Sequence, residues 1–360
     1  ELIGGTGIAK ELVLKAIESG KHVVTANKKL LAEYGNEIFA AAQQKGVTVA
    51  FEAAVAGGIP IIKSLREGLT ANRIEWIAGI INGTSNFILT EMREKGAAFA
   101  DVLAEAQRLG YAEADPTFDI EGHDAAHKLT IMSAIAFGIP VQFAKAYLEG
   151  ISKLTAEDIS YAEEFGYRIK LLGITKRKPG GIELRVHPTL IPEQRLIANV
   201  NGVMNAVLAK GDAVGQTMYY GAGAGAEPTA SAVVADLVDV TRTLTADPHH
   251  RVPHLAFQPN QMSDLPILPI EEIETCYYLR LDAQDRKGVL ADVTRILADS
   301  DISIDAMMQK EPKQGEERVD VIILTHLAVE KNVNAAIAKI EALPTINGKV
   351  TRIRLETLDK

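Results

Sequence analysis

The sequence predicts an α/β protein made of three successive parts, and three patterns along the chain support this fold class. Residues 1–51 alternate amphipathic helices with short β-branched strands, which is typical of a parallel sheet covered by helices. Residues 52–220 contain longer elements that predict an α+β unit with a mixed sheet. Residues 273–360 follow a βαββαβ order, the pattern of a ferredoxin-like unit.

The first part reads as two helix–strand units. Apolar residues at helical spacing predict helices over 7–20 and 30–45, and β-branched runs predict strands over 22–27 and 47–55. The opening residues 1–5 have the character of a buried strand that enters a turn. We therefore expect the numbered chain to begin inside a domain whose first part is absent from this sequence.

The middle part is read from its strands and its helix ends. Helices are predicted over 59–69 and 97–109, the second closed by Gly110, because glycine favours the end of a helix. Strands are predicted over 74–81, 168–175, 182–187, 200–208 and 212–220. A glycine-rich run at 221–225 then opens a helix over 228–244, and we expect 221–244 to complete the first part. Residues 245–272 hold five prolines and are interpreted as a linker.

The last part shows the clearest order of elements. It is predicted to contain the strands TCYYLRLDA (275–283), ISIDAMMQ (302–309), RVDVIILTH (318–326) and KVTRIRLET (349–357), with helices over 288–300 and 329–342. Strand, helix, strand, strand, helix, strand is the split βαβ arrangement.

Composition and charge exclude several classes of protein. Of 360 residues, 47% are hydrophobic and 24% are charged, as in an ordinary globular protein. A net charge of -9 argues against a general nucleic-acid binder. The longest apolar run, 129–144, is too short and too interrupted to cross a bilayer. A single cysteine, Cys276, excludes an internal disulfide and favours a reducing cytoplasm.

The segment 110–128, GYAEADPTFDIEGHDAAHK, concentrates charged groups at the start of an apolar helix. Its carboxylates include Glu113, Asp119 and Asp124, and it ends in Lys128. On a helix, Asp124 and Lys128 are four residues apart and share a face. Such a pair is usually a solvated salt bridge, but the following turns are almost purely apolar. We therefore expect a partly buried lysine with a lowered pKa, which is able to exchange a proton near neutrality.

The same helix start contains His123-Asp-Ala-Ala-His127, which resembles the zinc motif H-E-x-x-H. Aspartate has a shorter reach than the catalytic glutamate of that motif, and the sequence offers no obvious third ligand downstream. Polar packing of both histidines is therefore favoured over zinc hydrolysis.

Three other polar or glycine-rich segments follow predicted strands. Lys28 comes after the strand 22–27, where a lysine could meet a phosphate or a substrate carboxylate, or simply face solvent. The loop NGTSN (82–86) could hold a small polar ligand or cap a helix that begins near Phe87. The glycine cluster 221–225 could be a flexible turn, or it could let the backbone approach a phosphate or nicotinamide.

Taken in order, six segments of the chain closely resemble the homoserine dehydrogenase family. They are the opening ELIGG, HVVTANK (22–28), AVAGGIPII (54–62), GIINGTSNF (79–87), LGYAEADPTFDIEGHDAAHKL (109–129) and GAGAGAEPTASAVVAD (221–236). The βαββαβ unit resembles the ACT domain that many bacterial members carry. The family also begins with a Rossmann strand and a G-x-G-x-x-G loop, and this sequence contains neither.

The resemblance implies a division of the chain and an activity. Residues 1–51 would be a partial Rossmann dinucleotide-binding domain, 52–220 a catalytic and dimerisation domain, and 273–360 an ACT regulatory domain. The family reduces L-aspartate 4-semialdehyde to L-homoserine with NADPH or NADH, in the biosynthesis of threonine, methionine and isoleucine. A homodimer or homotetramer is implied. The competing hypothesis is a non-catalytic amino-acid sensor, which is disfavoured because the acidic and lysine positions of 109–129 are all present.

The resemblance also implies roles for individual residues. The catalytic group would be Lys128, Asp124, Asp119 and Lys28. Substrate would be bound by Glu113, Asp124 and Thr84. The dinucleotide would be contacted by Thr6, Lys28, Gly110, Glu113 and Gly225. A monovalent cation such as Na⁺ would be held by Glu52, Val55, Gly57 and Ile59, largely through carbonyl oxygens. A threonine effector would bind at the loop Asp285–Gly288 of the ACT unit, for which the alternative is an oligomerisation unit without an effector.

Overall fold

The computed structural model describes residues 1–310 and 317–359, and its first part is a small parallel unit. The elements are α1 (Ile8–Glu18), β1 (Val23–Val24), α2 (Lys28–Lys45) and β2 (Val49–Ala50). Strands β1 and β2 pair in parallel, as the sequence predicts. The strand predicted over 47–55 is wrong beyond Ala50, because Glu52–Ala54 forms a 3₁₀ turn. The buried Glu52 carboxylate accepts the backbone N–H groups of Ile62 and Lys63, which turns the chain here.

The middle part carries the helices that position the site. They are α3 (Ile61–Lys63, continued by a π-helical turn, Ser64–Gly68), α4 (Gly83–Lys95), α5 (Phe99–Arg108), α6 (Thr117–Ile120), α7 (His123–Phe137) and α8 (Ala156–Glu164). Helix α4 begins at Gly83, not near Phe87, because the Asn82 side chain accepts the N–H of Ser85 and caps the helix there.

The strands of the middle part are β3 (Ile74–Ile80), β4 (Tyr147–Leu148), β5 (Tyr167–Lys178), β6 (Gly181–Pro192), β7 (Met204–Gly211) and β8 (Gly215–Ala222). Two of them, β5 and β6, are longer than the sequence predicts, while β7 and β8 begin three to four residues later than predicted and β4 is an additional short strand. Strand β6 is buried along its whole length, including charged residues, so its pattern does not alternate as an exposed strand would. Helix α9 (Ala226–Arg242) follows β8 and packs against β1 and the 3₁₀ turn of the first part.

The last part has the predicted βαββαβ order with one short extra strand. Its elements are β9 (Glu274–Gln284), α10 (Val289–Asp299), β10 (Ile304–Gln309), β11 (Arg318–Thr325), β12 (Ala328–Val329), α11 (Glu330–Glu341) and β13 (Ile346–Leu355). Apolar side chains between this sheet and its two helices form a core of their own.

Over the described ranges, the strands of the middle and last parts belong to one sheet of eleven strands. Its main path runs β10-β11-β9-β13-β6-β5-β3-β7-β8. The join is a parallel pair between β13 and β6, with Arg354 opposite Thr189 and Leu355 opposite Leu190. The stretch interpreted as a linker packs along this sheet, since Ile182 and Ile267 form a β-bridge. The chain thus places its two larger parts side by side on a common sheet.

Buried ion pairs reinforce the join. Arg185 on β6 is 1% exposed and donates to the carboxylates of Glu183 and Glu356, and Lys176 on β5 pairs with Glu356 as well. Burial alone would raise the pKa of Glu356, but Arg185 and Lys176 lower it to about 2. Glu356 follows β13, so its ion pairs bind the end of the last part to the middle of the sheet.

Helix α7 lies against this sheet and is buried from Asp124 to Phe137. This explains why the segment after Lys128 is apolar without a polar face. None of the helices in the described residues has the length and apolar character that a membrane span needs.

Candidate active site

A cavity of about 550 Å³ opens where the first and middle parts of the chain meet. Its walls come from the end of β1, the start of α4, the start of α7, the segment before β7 and the glycine run after β8. Of the residues predicted to form a site, it is lined by Lys28, Gly57, Thr84, Gly110, Asp119, Asp124, Lys128 and Gly225. The folded chain therefore brings together residues that are up to about two hundred positions apart in sequence.

Asp124 lies at the centre of the charged groups in this cavity. One carboxylate oxygen, Oδ2, accepts a hydrogen bond from Lys128 Nζ at 2.7 Å, and the other, Oδ1, lies 3.1 Å from Lys28 Nζ. Asp124 and Lys128 are 5% and 7% exposed, so this is a buried pair and not a solvated one. Lys128 Nζ also donates to the Ile81 carbonyl at 2.8 Å. As far as the described residues show, its third hydrogen remains for a ligand oxygen.

The Asn82 side chain connects the carboxylate of Asp119 to that of Asp124. Its side-chain Nδ2 donates to Asp119 at 2.7 Å and to Asp124 at 2.9 Å, while its Oδ1 caps α4. The hydroxyl of Ser85 donates to the Asp119 carbonyl at 3.0 Å, which fixes α6 beside α4. A single amide thus holds two acidic side chains in one orientation.

The two carboxylates differ in their acidity. Burial alone would raise the pKa of Asp124, but Lys128 and Lys28, with hydrogen bonds from Lys128 and Asn82, hold it well below its ordinary value. Burial raises the pKa of Asp119, and the neighbouring charge of Asp124 adds to this effect. Asp124 is therefore an anion throughout the neutral range, with two ammonium groups around it.

Lys28 occupies its position because a helix begins there. Asn27 precedes it, and the Asn27 side chain accepts the N–H of Leu30 and donates to the Gly5 carbonyl at 2.7 Å. The cap starts α2 directly after β1, so Lys28 projects from the carboxyl end of a parallel strand. This is the edge of an α/β sheet where ligands bind.

The glycine run after β8 forms the opposite wall. The N–H of Gly58 donates to the Ala222 carbonyl at 3.0 Å, and a Cβ on Gly57 would meet the Gly223 carbonyl oxygen at 2.5 Å. Gly225, with φ of 118°, directly precedes α9. Only glycine permits this contact between two backbones and this φ. These residues fit a dinucleotide, since exposed backbone at a helix N-terminus suits its polar groups.

The other residues that the sequence predicts to bind substrate or dinucleotide lie at the rim of the cavity or outside it. Thr84 lines the cavity, and its hydroxyl donates to the Tyr111 carbonyl at 2.6 Å. Glu113 is exposed and does not contribute to the cavity walls among the described residues. Thr6 is half-buried and likewise lies outside these walls within the described ranges. The roles assigned to Glu113 and Thr6 stay predictions.

The two histidines of α7 pack against aromatic rings. His127 is 2% exposed and lies 4.2 Å from Phe143 between ring centroids, while His123 stacks on Phe118. Burial lowers the pKa of His127 to about 4. Within residues 1–310 and 317–359, no three His, Cys, Asp or Glu side chains form a group that could hold a metal ion. The geometry thus gives no support to the zinc alternative.

Models of known families match most of the chain, in three successive ranges. Residues 1–52 match the model described as homoserine dehydrogenase, NAD binding domain, and residues 60–238 match the model for homoserine dehydrogenase. The chain belongs to the homoserine dehydrogenase family. Residues 277–345 match the ACT domain, as the βαββαβ pattern led us to expect. The prediction of the family from its six sequence segments is confirmed, and the chain is an oxidoreductase.

Individual relatives support the same assignment. The chain is 68% identical over 359 residues to a homoserine dehydrogenase of Pseudomonas aeruginosa, covering 100% of this chain and 83% of that protein. A crystal structure of a homoserine dehydrogenase from Thiobacillus denitrificans matches with a TM-score of 0.95 and 78% identity, covering 99% of this chain and 81% of that one. One from S. aureus matches with a TM-score of 0.75 and 32% identity, covering 99% and 80%.

A complex is known among the more distant members of the family. A hyperthermophilic archaeal homoserine dehydrogenase in complex with NADPH matches with a TM-score of 0.59 and 29% identity, covering 67% of this chain and 72% of that one.

The predicted cation loop of the family lies behind the glycine wall. Glu52, Val55 and Ile59 are buried, and Gly57 has a φ of 51°. Each oxygen of the Glu52 carboxylate accepts one backbone N–H group, from Ile62 and from Lys63. Burial raises the pKa of Glu52 to about 7, and the charge of Asp236 contributes to this rise. The cation site stays a prediction.

The predicted effector loop lies at the start of α10. Asp285 is exposed, and its carboxylate accepts a hydrogen bond from Gln309 at 3.3 Å. Gly288 has a φ of 95° and directly precedes the helix. Effector binding at this loop also stays a prediction.

Sequence reasoning missed two features of the site. The bridging amide of Asn82 was placed in a polar loop, but its partners are 37 and 42 residues away in sequence. The wall formed by Val203, Met204 and Asn205 carries no charged residue, so the sequence predicts only a strand there. A polar Asn205 inside an otherwise apolar strand, NAVLA, was the one signal available.

Proposed function

We propose that this chain catalyses the reversible, NAD(P)H-dependent reduction of L-aspartate 4-semialdehyde to L-homoserine, with Lys128 as the catalytic acid. The observation that carries the proposal is the buried ammonium of Lys128, held by Asp124 and the Ile81 carbonyl in a cavity that also contains the glycine wall. This arrangement supports a role for Lys128 as the proton donor, beside a glycine-rich wall that would hold a dinucleotide.

The chemistry follows from the charge that develops during reduction. When bound, the dinucleotide supplies the hydride. As the aldehyde carbon is reduced, negative charge grows on its oxygen, and Lys128 stabilises that charge and delivers the proton. Asp124 is ionised at neutral pH, because its pKa lies well below its ordinary value, and its carboxylate orients the amino groups of Lys128 and Lys28. Asp119 supports the same network through Asn82.

The amino-acid end of the substrate needs partners as well. Asp124, Thr84 and Glu113 are proposed to bind it through charge-assisted hydrogen bonds. Glu113 is exposed and lies outside the cavity walls, so in this role its side chain would reach the substrate from the rim. Tyr111 and Thr84, which line the cavity, are joined by a hydrogen bond.

The dinucleotide is proposed to lie between β1 and the glycine wall. Its contacts would come from Thr6, Lys28, Gly110, Glu113 and Gly225. The NADPH in the archaeal relative supports NADP, and NAD is the alternative. Parallel titrations with NADPH and NADH, each with L-aspartate 4-semialdehyde, test both the activity and the preference. The proposal is contradicted if neither NADPH nor NADH supports turnover of the semialdehyde.

A monovalent cation such as Na⁺ is proposed at the loop of Glu52, Val55, Gly57 and Ile59. Hard carbonyl oxygens suit such an ion, and the loop supports the glycine wall through Gly57 and Gly58. Added NaCl or KCl should raise activity and melting temperature more than tetramethylammonium chloride at the same ionic strength. Equal effects of all three salts would contradict a specific site.

The ACT unit is proposed to give feedback regulation by threonine through the loop Asp285–Gly288. The chain is proposed to divide into a Rossmann-type dinucleotide-binding part (1–51 with 221–244), a catalytic and dimerisation domain (52–220), a linker (245–272) and the ACT domain (273–360). We also propose a cytoplasmic homodimer or homotetramer. Threonine titrated into the reductase assay should inhibit, with serine as the control, and light scattering should give the oligomeric state. If threonine does not change the activity, the proposal that it regulates the enzyme through the ACT unit is wrong.

A further inference from the structure

The segment 200–205 forms a wall of the cavity that faces the start of α4. Val203, Met204 and Asn205 line the cavity directly. A Cβ on Gly83, the first residue of α4, would meet the Val203 carbonyl oxygen at 2.8 Å, so the two backbones are in contact. This segment and the start of α4 therefore form adjoining parts of the cavity wall.

A buried lysine lies behind that wall. Lys170 on β5 is 1% exposed. Its Nζ donates to the Val200 carbonyl at 2.6 Å, to Asn86 Oδ1 at 3.1 Å and to Asn201 Oδ1 at 3.2 Å. All three acceptors are uncharged oxygens. Within residues 1–310 and 317–359, no carboxylate pairs with this ammonium group. A buried charge without a counter-ion is costly to the fold, so stability alone does not explain why this position is a lysine.

Helix α4 holds the same segment from the other side. The Asn86 side chain donates to the carbonyls of Val200 and Met204, both at 3.1 Å. The N–H of Gly202 donates to the Thr90 hydroxyl at 3.0 Å. The segment is thus fixed at residues 200, 202 and 204, and Asn86 contacts both the lysine and the wall. Because α4 begins at the cavity, this cluster joins two of its walls.

We infer that Lys170 is a positioning residue, whose ammonium group holds segment 200–205 against α4 and so keeps the cavity at the width that the substrate needs. It does not touch the reacting atoms. The inference rests on the proposed function of the cavity as the active site. Three hydrogens on Nζ match three acceptors, and the neutral amine would leave one of them without a donor.

The charge state of Lys170 makes the inference testable by pH. Burial lowers the pKa of Lys170 to about 7, and Arg93 and Arg168 act in the same direction, while Glu94 opposes them. Arg168 is itself paired with Glu163 of α8. The ammonium is therefore present below about pH 7 and lost above it. The KM for L-aspartate 4-semialdehyde should rise as the pH increases through this range.

The first experiment compares Lys170→Met with Lys178→Met, which removes a half-buried lysine at the end of the same strand, where it lies 3.7 Å from the Glu183 carboxylate and away from segment 200–205. At pH 6, Lys170→Met should raise the KM for the semialdehyde by about tenfold or more, with kcat changed by less than about threefold. The difference from wild type should shrink by pH 8.5, because the wild-type protein then loses the ammonium as well. Lys178→Met should match wild type at every pH. An unchanged KM, or a difference that does not vary with pH, overturns the inference.

A second variant, which keeps Lys170, tests its positioning role even if Lys170→Met does not fold. Asn201→Asp supplies a carboxylate where the amide oxygen now accepts from Lys170 and Arg93. An ion pair raises the pKa of a lysine, so the rise in KM should move upward by about one pH unit or more. A midpoint that stays at its wild-type value overturns the inference. Failure of the proposed function is seen separately, as full turnover in Lys128→Ala.

Discussion

The variant Lys128→Ala tests the proposed chemistry most directly, because the structure predicts a loss of activity without a comparable loss of stability. Removing Lys128 leaves Asp124 with two partners, Lys28 at 3.1 Å and Asn82 at 2.9 Å. The remaining carboxylate is therefore not left as an unpaired buried charge. Breaking a buried pair usually costs about 3–5 kcal/mol, mostly from the charge left behind. We expect the free energy of unfolding to fall by less than about 3 kcal/mol.

The effect on turnover should be much larger than that on folding. General acid catalysis is worth roughly 10²–10⁴ in rate, which corresponds to about 3–5 kcal/mol of barrier height. Lys128→Ala should therefore lower kcat by at least about a hundredfold. The assay follows NADPH oxidation with L-aspartate 4-semialdehyde, and urea denaturation gives stability. Lys29→Ala, which removes a half-exposed lysine next to Lys28, is the control for loss of positive charge near the cavity.

A second variant, Asp124→Asn, separates the effect on catalysis from the effect on folding stability. This substitution removes the one carboxylate that pairs with both Lys128 and Lys28, so two ammonium groups lose their counter-ion. We expect it to lose activity and also about 3–5 kcal/mol of stability. If Lys128→Ala keeps turnover within about tenfold of wild type, Lys128 does not act as the general acid and the proposed chemistry is wrong.

Three further variants test other parts of the structure. Gly57→Ala should raise the KM for the dinucleotide by about tenfold or more, since a Cβ there meets the glycine wall, whereas Gly96→Ala, with a similar φ of 62° and open space around it, should not. Glu356→Gln should lower the free energy of unfolding at pH 7 by about 3 kcal/mol. Because the native pKa of Glu356 is about 2, below its ordinary 4.5, this difference should be complete above pH 4.5 and vanish as the pH falls toward 2 in urea titrations. Glu149→Gln should weaken inhibition by threonine while kcat stays within about twofold of wild type. The reason is that Glu149 accepts a hydrogen bond from Arg354 of β13 at 2.8 Å, which couples the ACT unit to the middle part. Unaltered inhibition would contradict this coupling.

Much of the fold and part of the site could be predicted from the sequence because they depend on local patterns. Helical spacing places Asp124 and Lys128 on one face, and this pair is buried as the apolar segment after it indicates. Glycine patterns gave the end of α5 and the wall before α9. The order of the βαββαβ elements follows from alternation alone.

The features that sequence reasoning missed depend on contacts between distant segments. The end of β2 is set by the Glu52 side chain, whose partners lie ten and eleven residues further on. The start of α4 depends on Asn82, which also holds two carboxylates of a later segment. Burial of Lys170 inside a strand is not visible in a pattern that treats lysine as a surface residue. In each case one side chain satisfies groups from two elements, and periodicity carries no information on that.

The parallel ladder between β13 and β6 has a mechanical consequence for the ACT unit. A regulatory module on a flexible tether could rotate freely, but here Arg354 and Leu355 face Thr189 and Leu190 across shared backbone hydrogen bonds. A change in twist at β13 is therefore passed to β6 and then, through β5, to β3. Strand β3 ends just before Ile81 and Asn82. The ACT unit and the strand that leads to Ile81, whose carbonyl accepts a hydrogen bond from Lys128, thus belong to one continuous sheet.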